Sequence, residues 1–303
     1  MSEIKYSFII PHKNYPELLT RCVDSIPERE DIQIVVVDDN SDADKKPQIE
    51  RQGLEIILLD AEHSKGAGRA RNVGLEHAKG KWLLFADADD YYTDYLPTLL
   101  DKYADDEITD IVYLNACKFD ENGIITPHIT NKLITDYLAN VSDSELKLRF
   151  SVWTPWSRMV KRKIVEDNHL QFDELPAGND KMFCLFCSRY AAKMTVENNQ
   201  IYWYYKPSKG SQTDKNRNYL MIDGLLDVRC RTIALYKEVG YKPIPTLFEL
   251  LFKSSYSKGL NQSEKLKKYL FFIRKSGLYI WSDLLRYFLQ HIFTSDNENS
   301  CSR

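Results

Sequence analysis

Residues 83–92 read LLFADADDYY. An apolar strand pattern over 83–86 runs directly into three carboxylates, Asp87, Asp89 and Asp90. Carboxylates repel one another and are rarely buried unpaired, so this strand end requires a positive partner. A divalent cation of the magnesium or manganese type suits it. Such ions take oxygen ligands, commonly one or two carboxylates completed by substrate phosphates. On an extended segment side chains alternate with period two, so Asp87 and Asp89 share a side, with Ala88 between them. One can ligate the ion, while the other holds a ribose hydroxyl or an outer water. Asp90 or Thr93 is placed to cap a helix over 94–103. That duty needs neither Asp87 nor Asp89.

The elements that carry these groups alternate. YSFII (6–10) reads as a strand that stops at Pro11, which has no N–H for a central ladder. PELLTRCVDSI (16–26) has helical apolar spacing, with Pro16 suited to a first turn. QIVVV (33–37) and LEIILL (54–59) are further strands. GAGRARNVGLEHAKG (66–80) is a helix stopped by Gly80, and KWLLFA (81–86) is a fourth strand. This order predicts an α/β fold, a mostly parallel sheet flanked by helices. Ligands then bind beyond the carboxyl ends of the strands. Four polar clusters converge there: Pro11-His12-Lys13-Asn14, Asp38-Asp39-Asn40-Ser41, His63-Ser64-Lys65, and Asp87-Ala88-Asp89-Asp90.

Farther along, DIVYLNAC (110–117) is a strand with a hairpin signal at Asn122-Gly123, and 131–150 is helical. SVWTPWSRMVKRK (151–163) reads as a loop entering a helix, 170–180 as a loop, 180–191 as a helix and 193–205 as a strand. KPSKGSQT (206–213) is a polar loop. The predicted boundary lies there, with a first domain over 1–213 and a helical C-terminal region over 214–303. Residues 252–293 carry eight Lys/Arg against two acids, and ten aromatics. The formal charge of the whole chain is −3, so the remainder carries −9 and this segment is distinctly basic. It fits either packing against the catalytic domain or a second copy, or contact with an anionic membrane surface.

A chain of 303 residues with 43% hydrophobic residues needs no staples to fold. Its slight net negative charge gives no footprint for nucleic acid. The six cysteines are scattered, and the lone C-x-x-C pair, Cys184 and Cys187, lacks the further ligands of a zinc site. Residues 1–5 are short and polar ahead of the first strand, and no apolar run is long enough to span a membrane. Those features predict a cytoplasmic protein.

FIIPHKN, VVVDDNSD and GAGRARNVGLEHAKGKWLLFADADD, in that order, resemble the family 2 glycosyltransferases of bacterial type. A second match, FDELPAGNDKMFCLFC followed by YYKPSKGSQT, extends the likeness over about 6–213. The resemblance implies the GT-A fold, Rossmann-like, and an inverting transfer of sugar from a nucleotide-sugar, most simply UDP-linked. The hydroxyl acceptor would be a glycan or a lipid-linked intermediate of a surface polysaccharide. It implies Mn2+ or Mg2+ at Asp89, which bridges the diphosphate, and ribose at Asp87. Pro11 and the residues after it, including His12 and Asn14, would line the nucleotide pocket. Asp39, with Asp38 beside it, would meet uracil or ribose. Arg71 would lie near base or phosphates, and Lys65 would stand on the same rim.

Asp180 matches the second acid of the family's Glu-Asp pair, the usual catalytic base. Its neighbour departs from the pattern: Asn179 stands where the family has Glu. Asn can hydrogen-bond an acceptor but cannot ionise, so the base falls to Asp180. From its position alone Asp180 reads first as an N-cap; the resemblance is what makes it the base. Trp153 and Trp156 suit either an acceptor platform or packing, and Arg158 is a candidate acceptor or donor contact. Only Lys206 and Lys209 stand where the family often has His or Arg for phosphate.

Other classes fit less well. A dinucleotide oxidoreductase needs G-x-G-x-x-G after the first strand, where this chain has PHKNYP. A P-loop is absent, and a nucleotidyltransferase would more often carry a Gly-rich phosphate loop near that strand. A catalytically inactive nucleotide-sugar-binding module remains the alternative that Asn179 invites.

Overall fold

A computed structural model of the protein describes residues 3–206, 221–242 and 245–299. The chain divides into two compact units, Met1–Ser211 and Gln212–Arg303.

The first unit is built on one sheet. β1 (Tyr6–His12), β2 (Ile32–Asp38), β3 (Leu54–Leu58) and β4 (Trp82–Phe85) form its parallel half, in the order β3-β2-β1-β4. Beyond β4 the sheet is mixed. β8 (Arg158–Lys161) runs antiparallel to both β4 and β6 (Ile111–Phe119). β9 (Met194–Tyr205) runs parallel to β6, and the short β5 (Tyr91–Tyr92) closes the edge. β7 (Ile125–Pro127) pairs with β6 through the hairpin at Asn122-Gly123, where Gly123 takes a φ of 74°.

Period-two alternation divides the core between the two faces. Phe8, Ile10, Ile34, Val36 and Leu84 pack under α1 (Pro16–Asp24) and α3 (Leu96–Tyr103). Ile9, Leu83, Phe85 and Ile111 face α4 (Ile129–Ala139), α5 (Val141–Ser151), α6 (Arg162–Asp167) and α7 (Lys181–Tyr190). α2 (Ala67–His77) lies over Val35 and Val37 through Ala70 and Val73. Leu83, Leu84 and Phe85 are completely buried, each worth about 1.5–3 kcal/mol relative to exposure, so the acidic segment starts from a rigid strand.

Three expectations about local structure are corrected. β1 does not stop at Pro11 but continues through His12, paired with Asp38. Ile9 accepts from Ala86 N–H on the β4 side. Two residues later Pro11 faces the same side, beyond the end of β4, where no ladder needs its N–H. Gly80 does not end α2. The helix stops at His77 and Ala78 is extended, whereas a Cβ on Gly80 would lie 2.5 Å from Ser7 N, so glycine there permits close approach to β1. Finally, the segment 151–163 is not a loop entering a helix. It contains β8, a central strand.

The second unit is helical: α8 (Ile222–Glu238), α9 (Leu247–Phe252), α10 (Gln262–Ser276) and α11 (Ile280–Asn299). Ile222, Leu226, Ile233, Leu250, Leu251 and Ile273 form its core. Asn261 and Glu264 make a capping box at α10, and Gly277 (φ 62°) ends that helix. The buried Asp283 accepts N–H bonds from Leu247 and Phe248 at the start of α9. Phe271, Trp281, Leu285 and Phe288 remain exposed. Among the described residues no helix is long and apolar enough to cross a membrane.

Candidate functional site

At the ends of β1 and β2 the polar residues hold one another. His12 Nδ1 lies 2.7 Å from Asp38 Oδ1, and its Nε2 accepts the Tyr15 N–H at 3.2 Å. The proton is therefore on Nδ1, donated to the carboxylate. Asp38 also accepts Ser41 N–H (2.9 Å) and the Ser41 hydroxyl, and both Asp38 and His12 are buried. Asn14 takes a φ of 64°, a conformation Asn tolerates better than most. Its N–H donates to Ser41 Oγ and its Oδ1 accepts from Asp42 N–H, both at 2.8 Å. Asp39 accepts Gly66 N–H at 3.2 Å and faces Lys13 Nζ at 3.5 Å, tying β2 to the start of α2. Lys65 pairs across the rim with Glu174 at 3.4 Å.

The second half of the site centres on Arg71, buried on α2. Its guanidinium donates to Asp87 Oδ1 at 2.6 Å and to Asn179 Oδ1 at 3.1 Å, over the ring of Phe172. Asn72, the next residue, exchanges two hydrogen bonds with the Phe172 backbone. A Cβ on Gly68 would sit 2.1 Å from the Asp173 carbonyl, so glycine lets the first turn of α2 meet the 172–179 loop. Asp87 is held a second time, by its N–H to the Tyr202 hydroxyl at 3.0 Å.

Asp180 heads α7 in the N-cap position but has αR backbone angles and makes no side-chain cap bond. Burial pushes its carboxyl above the usual carboxylate range, against the pull of the Arg71 charge, and Asp87 pushes the same way as burial. Asn179, whose Oδ1 accepts from Arg71, adds no charge beside it. Asp89 is pushed up to about 6, first by burial and then by Asp87. Asp90 is buried and lies well above its ordinary value, by burial and then by Asp87 and Asp89. It accepts Tyr205 N–H at 2.7 Å rather than capping a helix. Tyr95 stands at the N-cap of α3 without a side-chain cap bond, and just ahead of it Thr93 Oγ1 accepts the Tyr95 N–H at 3.3 Å.

These carboxyls test the cation expected from the sequence. Three stand in four residues, and the charge of Asp87 adds to burial in pushing Asp89 and Asp90 upward. Among the described residues Asp87 has Arg71, but no basic side chain forms an ion pair with Asp89. Among those residues, too, no three His, Cys, Asp or Glu side chains converge into a complete metal-binding set. A single open carboxylate beside a second one fits a hard divalent ion whose remaining ligands are substrate phosphates and water.

Two sequence candidates for the acceptor site are corrected. Trp156 is buried, stacked on Tyr202 (4.8 Å between centroids) and Tyr204 (5.3 Å), so its ring is taken up by packing. Arg158 is completely buried on β8 and donates to the carbonyls of Cys184 and Val152. It braces α7 from below and cannot touch a ligand. Trp153 is exposed, with Lys181 Nζ 3.9 Å from its ring centroid. Lys209 lies outside the described residues. Tyr202 and Phe172 were not singled out from sequence. Each is an ordinary aromatic in an apolar run, and only the fold brings it to Asp87 or Arg71.

An open α/β sheet with an acidic rim of this kind is the GT-A architecture. The model of the family described as "Glycosyl transferase family 2" matches residues 7–167, and the chain belongs to that family. The chain is 28% identical over 251 residues to the glycosyltransferase GlyA of Streptococcus pneumoniae, which covers 78% of this chain and 35% of GlyA. It is 25% identical over 219 residues to the poly(ribitol-phosphate) β-N-acetylglucosaminyltransferase TarS of Staphylococcus aureus, covering 68% of this chain and 36% of TarS. The chain thus spans about a third of the length of these relatives. The crystal structure of S. aureus TarS 1–349 with UDP-GlcNAc superposes with a TM-score of 0.67 at 21% identity, covering 90% of this chain and 81% of that one. A mannosyltransferase from Pyrobaculum calidifontis, solved with GDP-mannose and Mn2+, gives 0.54 at 15% identity, over 95% and 80% of the two chains.

Proposed function

We propose that this glycosyltransferase moves a sugar from a UDP-sugar to a hydroxyl of a glycan or lipid-linked acceptor, with inversion, in the synthesis of a bacterial surface polysaccharide. The observation that carries the reading is the Arg71 clamp. One guanidinium joins the acidic end of β4 to the loop that presents Asp180, so donor-side and acceptor-side groups meet at one point. TarS and the mannosyltransferase, solved with nucleotide-sugars, support the donor class.

Asp89 would hold Mn2+ or Mg2+; when bound, such an ion supplies charge stabilisation to the leaving diphosphate. Asp87, fixed by Arg71 and Tyr202, orients the ribose. Asp180 takes the proton of the attacking hydroxyl. Its raised pKa makes it a stronger base than an ordinary carboxylate, a role worth typically about 10²–10⁴-fold. Asn179 cannot compete for that proton. With one base and no nucleophilic residue, a single displacement inverts the anomeric carbon. The basic, aromatic face of the second unit, with Lys267 and Arg274 beside the exposed Phe271, suits an acceptor displayed on an anionic inner membrane face.

The test is UDP release from a panel of UDP-sugars with Mn2+, with and without chelator. Turnover of one sugar, lost on chelation, supports the reading. Donor binding without turnover in the presence of a competent acceptor identifies an inactive binding module instead. No binding of any UDP-sugar refutes the UDP assignment.

A further inference from the structure

We infer that the groove between α1 and β5 is a second carbohydrate subsite, which takes neutral sugar units of the acceptor lying away from the reacting hydroxyl. This rests on the transfer reading above for its role, though not for its chemistry.

The groove is open and encloses about 670 Å³, lined among others by Arg21, Asp24, Tyr91, Tyr95, Gln200 and Trp203. That volume lies within the range of small-ligand sites. The alternation of β9 creates its wall. Tyr202 and Tyr204 turn to one side and stack on the buried Trp156. Trp203 turns to the other, beside Tyr91 at 6.2 Å and Phe119 at 6.2 Å, and stays only half-buried, as do Tyr91 and Tyr95. Partly open aromatic faces match the C–H faces of sugar rings.

The polar groups match hydroxyls. Asp24 and Asp94 are exposed acceptors. Gln200 also lines the groove, but its Nε2 is buried and without a hydrogen-bond partner among the described residues. The hydroxyls of a sugar ring can donate to both exposed carboxylates. Charge selects among ligands: two carboxylates against one arginine disfavour a phosphate-bearing polymer or a nucleotide and favour a neutral glycan.

Arg21 joins the groove to the site. Its guanidinium lies 4.9 Å from the Tyr91 ring centroid and 5.6 Å from that of Phe119, and it donates to the Asp89 carbonyl. A glycan in the groove therefore meets the arginine that holds the backbone of the residue assigned to the cation.

The experiment uses the full chain with chitobiose, cellobiose, lactose and maltose, and a glycerol-phosphate oligomer as the anionic comparison, read by saturation-transfer NMR and calorimetry. At least one neutral disaccharide is expected to bind. Its Kd should weaken about tenfold in Trp203→Ala and severalfold in Asp24→Asn/Asp94→Asn. The second variant alters only exposed side chains and guards against misfolding of the first; thermal melts report the fold of both. The proposal is overturned if none of the four binds, if binding is unchanged in both variants, or if the glycerol-phosphate oligomer binds more tightly than every neutral sugar. Because no donor is present, these outcomes stand apart from failure of the UDP-sugar reading, which the UDP-release assay decides separately.

Discussion

The two halves of the rim look alike in sequence and differ in structure. Beyond β1 and β2, His12, Asn14, Asp38 and Ser41 spend their hydrogen bonds on one another and on backbone. Beyond β4 and at the head of α7, Asp89 and Asp180 are left with raised pKa values and, among the described residues, without side-chain hydrogen-bond partners. A polar strand end thus does two jobs. One half builds a rigid ledge, and the other keeps charge in reserve for a ligand. Burial does not separate them, since Asp38 and Asp90 are both buried; the completeness of the hydrogen bonding does.

The comparison breaks first at Asp180. Asp180→Asn should reduce transfer by about 10³-fold while donor affinity, measured by calorimetry, stays within a few-fold. Lost donor affinity would place Asp180 in donor binding instead. Asp89→Ala comes next, with an expected loss of about 10²-fold in transfer and of Mn2+-dependent donor binding. If chelator still inhibits this variant as it does the wild type, Asp89 is not the ligand.

Arg71→Gln sharpens the electrostatics. Arg71 favours the charged form of Asp180, so removing it raises that pKa further. The acidic limb of the kcat profile should move to higher pH, because the base must be ionised to act. A limb that stays or moves down would deny the coupling. Asp38→Asn tests the ledge. It leaves a buried hydrogen-bond network incomplete and should cost about 2–3 kcal/mol in a urea melt, with kcat of the folded enzyme little changed. A variant of full stability that no longer binds donor would move Asp38 into the working half. The smallest effect is expected from Phe271→Ser/Trp281→Ser, which should reduce sedimentation with anionic vesicles severalfold and leave a water-soluble acceptor assay unaffected.

Much of this was legible because the period-two strands and the helix between them are local patterns. DADD after LLFA needs nothing distant to announce a cation-hungry strand end. Asn179 beside Asp180 could be read as a departure from the family's acid pair, but its partner Arg71 lies 108 residues away and only folding joins them. β8 was hidden for a physical reason. RMVK carries a charge at each end, and Pro155 just before it signals a loop. Yet Arg158 donates to buried carbonyls and Lys161 reaches the Asp106 carbonyl, so the fold accepts a strand that composition alone disfavours. Trp156 was ambiguous in the same way, since a buried ring and a ligand platform have one sequence signature.

The place of β8 also bears on how the chain is made. A ribosome releases β4 and β6 before the strand that lies between them, so both stand with unpaired edges until residue 161 has emerged. A nascent or prematurely terminated chain ending near residue 150 would expose two sticky borders in the middle of its sheet. Such fragments should need a chaperone or be degraded, whereas chains extended past α6 can fill the gap between β4 and β6, leaving the far edge of β6 to β9.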